Sequence, residues 1–436
     1  MLFFSSQYLK KEYLCIMKFY KIIILLSLIL GSVFASGQIL SDTICSSNVK
    51  SVFLRLNGIE LSSPIIKMES NDKIQVSFDI LDGIGENFRY RILHCNKNWE
   101  KDELEPSEYI NGFEDGSIDN FKNSFTTLQE YTHYYQSIPS TYSSFVASGN
   151  YILEIYPQDE PDSIILRKRF WVTEENASIE LHIGKPTGAF GHIQQDQELS
   201  IYIKPVDESP ISGINRYITV KAQQNNRTDL IRGIPFQGYF KEFLSYNLSQ
   251  GNVFPGGNCF RYFDMSNIRT PMYNVQRVES IGGEIFAFIR PDENRSKLVY
   301  SFSKTLNGGC KINIWDRNDP QIEADYVWVN FSLPMQNPYL DGNIYIIGDL
   351  TQWKFDEESR MEWQPQYKAY TKRLYLKQGY YSYQLIFLPK GSNIGETDRI
   401  EGNHFETPND YTVYVYQRTP NDRYDRLIGI KKIMVN

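Results

Sequence analysis

Apolar and polar residues alternate with a period of two along much of the chain. In KIQVSFDIL (73–81), one face of the predicted strand carries Ile74, Val76, Phe78 and Ile80, and the other carries Gln75, Ser77 and Asp79. NYILEIYP (150–157) and LRKRFWVT (166–173) repeat this alternation on either side of the acidic loop QDEPDS and predict a hairpin. Short alternating runs between polar turns are typical of antiparallel β-sandwiches. Helical periodicity is confined to a turn or two within EPSEYINGF (105–113).

The same pattern continues in two further blocks. The second contains the predicted strands EIFAFIRP (284–291) and KLVYSFSK (297–304). In the third, Val327, Val329 and Phe331 are expected to face a core, and Gly379 is expected to form the turn of a hairpin. The sequence therefore predicts an all-β protein of tandem antiparallel, immunoglobulin-like sandwiches with very little helix. The predicted domains are 36–175, 176–317 and 318–436.

Composition agrees with strands, because 31 Tyr, 26 Phe and 6 Trp give an aromatic share of 14%. Ahead of the first block, MKFYKIIILLSLILGSVFASGQ (17–38) has a charged start, an apolar stretch and a small-residue cleavage site ending at Ala35. These are the parts of a secretory signal peptide, so residues 1–35 are predicted to be removed and Met17 is the expected start. No later apolar run reaches the roughly 20 residues of a spanning helix. We expect an exported protein without a membrane span.

Charge and cysteine content exclude further classes. The leader carries four Lys and one Glu, so the net charge of −7 becomes −10 without it, which argues against nucleic acid as a general partner. The four remaining cysteines are Cys45, Cys95, Cys259 and Cys310. Their wide spacings do not form a disulfide framework, and the sequence leaves their pairing open.

No catalytic motif is recognisable in the chain. Nucleophile elbows, Walker loops and zinc helices are all missing, and the five histidines are scattered singly. His94 and Cys95 are neighbours on a predicted strand, so their side chains point to opposite faces and cannot bind one metal ion together. We therefore expect no enzyme activity, no cofactor and no metal site.

The third block resembles the early-set immunoglobulin-like domains, which include glycogen-binding modules. The resemblance lies in IYIIGDLTQW (344–353), Met361 and LYLKQGYYSYQLIF (374–387). In such modules a Trp after this turn can stack on a sugar, which makes Trp353 and Trp363 candidate sugar contacts. The alternative is that Trp353 packs its loop back onto its own sandwich. The alternative function from this resemblance is a secreted carbohydrate-binding protein.

A second resemblance extends through nearly the whole exported chain. The long run YRILHCNKNWEKDELEPSEYINGFEDGSIDNFKNSFTTLQEYTHYYQSIP (90–139) is similar to the first domain of the plug proteins of the type IX secretion system of Bacteroidetes. The likeness continues in GNVFPGGNCFRYFDM (251–265), EADYVWVNFSLP (323–334) and the C-terminal stretch 401–429. It implies a periplasmic protein, associated with the outer membrane through its partner. That partner would be a giant outer-membrane β-barrel translocon, whose periplasmic mouth the protein closes while no substrate is loaded.

A reversible seal favours a polar and aromatic surface over a large apolar one. The loop EYTHYYQSIPSTYSSF (130–145) is rich in tyrosines, whose rings are rigid and end in a polar tip. Tyr131, Tyr134 and Tyr135 are therefore candidate partner contacts. The alternative is ordinary packing inside the domain, and the sequence leaves both open.

Overall fold

The computed structural model describes residues 39–82, 85–187, 190–206 and 213–434. The predicted signal peptide, residues 1–35, lies outside the described residues. From Ser41 onward the chain forms one compact unit. Its first part holds one short helix, α1 (Pro106–Tyr109), and twelve strands: β1 (Thr43–Ile44), β2 (Val49–Leu56), β3 (Ile65–Lys67), β4 (Ile74–Leu81), β5 (Phe88–Cys95), β6 (Ile110–Asn111), β7 (Asp115–Ile118), β8 (Asn120–Asn123), β9 (Tyr131–Ile138), β10 (Ser144–Phe145), β11 (Gly149–Pro157) and β12 (Leu166–Thr173).

These strands build the first sandwich. One sheet has the order β1-β12-β11-β5-β7 with β3 added to β12, and the facing sheet has the order β2-β4-β9-β8. The predicted apolar face of β4 is buried in the core between them, together with Ile92 and Tyr151. The predicted hairpin of β11 and β12 is confirmed, with Gly149 opposite Val172.

The chain then continues through β13 (Ala177–Gly184), β14 (Asp196–Pro205), β15 (Ile218–Gln224), β16 (Ile231–Ile234), β17 (Gly238–Phe240), β18 (Phe243–Tyr246) and β19 (Val253–Pro255). Next come β20 (Arg261–Asp264), β21 (Val275–Ile281), β22 (Glu284–Ile289), β23 (Cys310–Ile312), α2 (Pro320–Glu323), β24 (Tyr326–Pro334), β25 (Gly342–Ile347), β26 (Glu362–Gln364), β27 (Ala369–Lys377), β28 (Gly379–Pro389), β29 (Asp410–Gln417) and β30 (Arg426–Met434). Short 3₁₀ turns lie at Ile214–Tyr217, Thr228–Leu230, Gln250–Asn252 and Asp349–Thr351.

Strands β13–β19, together with β29 and β30, form the second sandwich. Its sheets have the orders β13-β14-β18-β17, with β19 on β14, and β16-β15-β29-β30. Strands β20–β28 form the third sandwich from the sheet β21-β22-β24-β27-β26 and a facing layer around β28. The predicted core positions Val327, Val329 and Phe331 are buried there. The fold is therefore all-β with two short α-helices among the described residues, as the sequence predicts.

The second sandwich is built from two distant parts of the chain. β29 pairs with β15 in antiparallel register, with Gln417 opposite Ile218, and Val413 and Val415 are buried in the same core as Ile201. The third sandwich is thus inserted between β19 and β29. The linear division into 36–175, 176–317 and 318–436 stays a prediction about separable domains. Strands from both sides of the boundary at 317/318 share sheets and cores in the second and third sandwiches.

Two local predictions are wrong. Gly379 does not turn a hairpin, because β27 pairs with β24 while β28 pairs with β20, β23 and β25 on the other side of the third sandwich. The chain crosses between layers at this point, and the missing side chain of Gly379 lets it pass close to the backbone of Lys311. The second is the strand predicted for KLVYSFSK (297–304), which does not join any sheet of the described chain.

Candidate functional site

A buried ion pair joins the first and third sandwiches. Nζ of Lys377, at the end of β27, lies 2.6 Å from Oδ2 of Asp79 on β4, and both side chains are almost completely buried. Nδ1 of His133 lies 2.6 Å from the other carboxylate oxygen, and the hydroxyl of Tyr326 donates to Oδ2 over 2.7 Å. Lys377 also donates to the backbone carbonyl of Gln321. We call these five residues the Asp79 interface.

The charges of this interface compensate one another. Burial alone would raise the pKa of the Asp79 carboxyl, but the nearby charge of Lys377 and the hydrogen bond from His133 outweigh it and hold the pKa below its usual range. Burial raises the pKa of the Tyr326 hydroxyl well above its ordinary value. Asp79 is therefore ionised and Tyr326 neutral at neutral pH. Replacing only one member of such a buried pair strongly destabilises the fold, because the other charge is left without a partner.

The first and second sandwiches also share a buried interface. The ring of Trp171 on β12 stacks on Tyr414 of β29, with centroids 5.3 Å apart. The hydroxyl of Tyr416 donates to Oδ1 of buried Asn150 over 2.8 Å. Nearby, the backbone N–H and the side-chain Nζ of Lys97 each donate to the carboxylate of Asp425, in the second sandwich, over 3.0 Å.

A third interface joins the second and third sandwiches. The guanidinium of Arg227, which is buried, donates to the carbonyl of Gly395 over 2.7 Å and is paired with Asp229. Nδ2 of Asn307 donates to Oδ1 of Asp410 at the start of β29. Each sandwich is thus attached to both others through buried polar or aromatic contacts. Because each pair is fixed directly, a hinge motion between any two sandwiches would have to break buried hydrogen bonds.

The two candidate tryptophans lie in different surroundings. Trp353 is 7% exposed, packs against Phe260, and donates from Nε1 to Oδ1 of Asp349 over 2.7 Å. Its ring belongs to a small buried cluster with Tyr345, Ile347 and Ile386, separate from the main core of the third sandwich, and offers little surface to a stacking sugar. Trp363 on β26 is half-buried and meets Tyr370 edge to face. The structure does not bring the two tryptophans together on one exposed platform, and their contact with a partner or a sugar stays a prediction.

The three candidate tyrosines all lie on β9. Tyr131 is buried against the third sandwich, where its hydroxyl donates to the carbonyl of Ala324. Tyr134 is buried in the core of the first sandwich and stacks on Phe78. Tyr135 is half-buried beside His133. Tyr131 and Tyr134 therefore make internal contacts, and a partner contact for any of the three stays a prediction.

Chemistry-bearing residues are dispersed through the described chain. His94 is buried, with Nδ1 paired to Asp102 and Nε2 3.0 Å from the carbonyl of Ser148, so both ring nitrogens have protein partners. Cys95 is buried on the opposite face of the strand, and burial raises the pKa of its thiol to about 12. Within the described residues, no group of three His, Cys, Asp or Glu side chains could hold a metal ion. An open cleft of about 700 Å³ is lined by residues that include Glu105, Glu114 and Val146.

Sequence reasoning missed the members of the Asp79 interface. Asp79 was expected on the polar face of β4, and it does point away from the core of the first sandwich, but the third sandwich covers that face. Lys377 is 298 positions away, at the end of a strand whose other polar residues are less buried. A charged residue in an otherwise apolar stretch such as LYLK is a weak signal for a buried pair, and it does not name the partner.

By its architecture, the protein belongs to the class built from three β-sandwiches that are attached to one another by buried interfaces. Residues 49–174 match the family model for the first domain of type 9 secretion system plug proteins. The chain belongs to this plug protein family. No curated protein matches the chain.

Among solved structures, the chain is similar to the crystal structure of a hypothetical protein from Parabacteroides merdae ATCC 43184. The two are 32% identical in sequence and superpose with a TM-score of 0.86. The match covers 90% of this chain and 98% of the other, so it includes all three sandwiches.

In the described part of the chain, helices of the length and apolarity needed to cross a membrane are absent.

Proposed function

We propose that this protein is a non-enzymatic plug that closes the periplasmic mouth of a type IX secretion translocon while no substrate is loaded. The family match points to a role in this secretion system and to a place in the cell envelope. The predicted signal peptide supports export to the periplasm. The partner in this proposal is the outer-membrane β-barrel through which cargo leaves.

The observation that carries the proposal is the set of three buried interfaces. A plug must resist deformation across a wide pore, and this needs a body whose parts do not move independently. The Asp79 interface, the stacking of Trp171 on Tyr414 and the bond from Arg227 to Gly395 each fix one pair of sandwiches. Such a body works by occupying space, which agrees with the dispersed polar residues and the lack of a catalytic motif. The alternative of carbohydrate binding needs an exposed face on Trp353, which is buried.

The experiment that tests this is deletion of the gene followed by a permeability assay. Without the plug, assembled translocons should leak, so cells should take up large antibiotics that the outer membrane normally excludes. The level of assembled barrel protein should stay unchanged, and the wild-type gene should restore the barrier. The tagged protein should co-purify with the barrel protein from solubilised outer membranes. Unchanged permeability together with no co-purification would refute the proposal.

A further inference from the structure

A partly exposed segment that pairs with no strand of the described chain connects β22 and β23 in the third sandwich. Between β22 and β23, residues 299–306 run without a turn or a bend and join no sheet of the described chain. Their sequence has the composition of a strand, with Val299, Tyr300 and Phe302 among small polar residues. We call residues 297–306 the basic segment.

The backbone of the basic segment is largely free. Within the described residues, no hydrogen bond is made by the backbone N–H groups of Val299, Tyr300, Ser301, Phe302, Lys304 and Thr305. Likewise, no carbonyl of residues 298–305 accepts a hydrogen bond from the described part of the chain. A run of free donors and acceptors is a template on which another strand can pair.

The segment is nevertheless held in place by contacts of three of its residues, Tyr300, Ser303 and Leu306. The hydroxyl of Tyr300 donates to the carbonyl of Glu406 over 3.2 Å and lies 3.3 Å from Sγ of Cys259. The N–H of Ser303 donates to the same sulfur atom, and the N–H of Leu306 donates to Oγ of Ser382 over 3.0 Å. A partner strand would therefore meet a backbone that is already ordered, which lowers the entropy cost of pairing.

Apolar and basic side chains are exposed along the segment. Val299 is 94% exposed and Phe302 is 65% exposed. Lys297 and Lys304 are exposed as well, and neither forms an ion pair with a described residue. The basic segment has no acidic residue, although the chain as a whole has a net charge of −7. The segment thus combines three exposed apolar side chains, Leu298, Val299 and Phe302, with two free positive charges.

We propose that the basic segment binds an extended, acidic segment of the translocon by strand addition. Acidic side chains on the incoming strand would meet Lys297 and Lys304, and its apolar side chains would cover Val299 and Phe302. A second copy of this chain fits poorly, because two basic segments would place lysine against lysine. A membrane surface supplies no backbone donors and acceptors for the free groups. The inference rests on the proposed function only in placing the occupant within the translocon.

The test is site-specific photo-crosslinking in cells, with benzoylphenylalanine at position 299 or 302 and, as the control position, at exposed Tyr142 on the first sandwich. We expect both positions in the basic segment to crosslink to an acidic peptide of the barrel protein, identified by mass spectrometry. Ser301→Pro removes a free N–H and should reduce the crosslink at least tenfold, whereas Ser301→Ala should keep it. Lys304→Glu should reduce it as well. Both Ser301 variants should retain the wild-type midpoint of unfolding, because this N–H donates to no described residue.

The outcomes separate this inference from the proposed function. If Tyr142 crosslinks to the barrel and positions 299 and 302 do not, or if Ser301→Pro crosslinks like Ser301→Ala, the strand-addition site is refuted and the plug role stands. Crosslinks from positions 299 and 302 to lipid, to a second copy of the chain or to a basic peptide also refute it. If no position reaches the barrel and co-purification fails too, both proposals fall.

Discussion

Nζ of Lys377 lies 2.6 Å from Oδ2 of Asp79, although 298 positions separate the two residues in the chain. Lys377 belongs to the third sandwich and Asp79 to the first, so this contact helps to set the relative orientation of two distinct cores. A buried charge pair does this more strictly than an apolar patch, because displacement leaves a charge without its partner. Variants that break the pair of Asp79 and Lys377 should therefore lower the free energy of unfolding the most.

Removing the cation of this pair should be strongly destabilising. Lys377→Met leaves the Asp79 carboxylate buried without its positive partner, and we expect the free energy of unfolding to fall by about 3–5 kcal/mol. The double variant Asp79→Asn/Lys377→Met removes both charges and should be more stable than Lys377→Met alone. Urea unfolding followed by tryptophan fluorescence measures both.

A matched control for this pair is available on the surface. Lys67 and Glu175 are 2.9 Å apart and both exposed, so Lys67→Met should change the free energy of unfolding by about 1 kcal/mol or less. Equal losses from Lys67→Met and Lys377→Met would contradict the importance of the Asp79 interface.

The same interface predicts a dependence of stability on acid. Because the pKa of Asp79 is lower in the folded protein than in the unfolded chain, the unfolded chain takes up the proton first as the pH falls. The contribution of Asp79 should be fully present above the unfolded pKa of about 4 and should be lost as the pH falls through the lower folded value.

The measurement compares urea unfolding of the wild type and Asp79→Asn between pH 7 and pH 3. Asp292 and Asp325 have raised pKa values caused by burial, and their contributions have the opposite sign. They are present in both proteins and cancel in the difference. The stability gap between the wild type and the variant should narrow below about pH 4. A gap that stays constant over this range would show that Asp79 does not titrate as the structure indicates.

Local pattern was sufficient to predict much of the fold. The alternation in β4, the hairpin of β11 and β12 and the buried residues of β24 all follow from a period of two and a polar turn. These features depend on residues that are close in the chain: even in the hairpin, the paired residues are between 11 positions (Ile155 and Leu166) and 23 positions (Gly149 and Val172) apart. The all-β class and the short helix near Pro106 follow from the same local signals.

Pairing between distant segments could not be predicted in the same way. Nothing in DYTVYVYQR indicates that β29 pairs with β15 rather than with a strand of the preceding block, because either pairing buries the same apolar face. The polar face that carries Asp79 was expected to meet solvent, and it meets another sandwich. The failure at 297–304 has a related cause, since a strand-like sequence forms a strand only where a neighbouring edge is within reach.

The hydroxyl of Tyr416 allows a second interface to be tested. It donates to Oδ1 of Asn150, and both residues are buried between the first and second sandwiches. Tyr416→Phe leaves that oxygen without a donor and should lower the free energy of unfolding by about 1–3 kcal/mol. Tyr142→Phe is the matched control, because the ring of Tyr142 is 87% exposed, and it should stay within about 0.5 kcal/mol of the wild type. Chemical denaturation of both variants gives the comparison, and indistinguishable midpoints would contradict this account of the interface.

Gly379 should be intolerant of any side chain, although its backbone conformation is ordinary. A Cβ atom there would lie 2.3 Å from the backbone oxygen of Lys311. This oxygen cannot move aside freely, because Lys311 lies on β23, which is paired with β28. Gly379→Ala should therefore cost about 1–3 kcal/mol, the usual range for overpacking. Gly184 on β13 is the matched control, since a Cβ there meets no atom within 4 Å. Gly184→Ala should be neutral or stabilising by up to about 1 kcal/mol, because alanine restricts the unfolded chain. The measurement is the urea midpoint of unfolding of each variant. If Gly379→Ala and Gly184→Ala unfold at the same midpoint, the backbone at Gly379 has more room than its contact with Lys311 indicates.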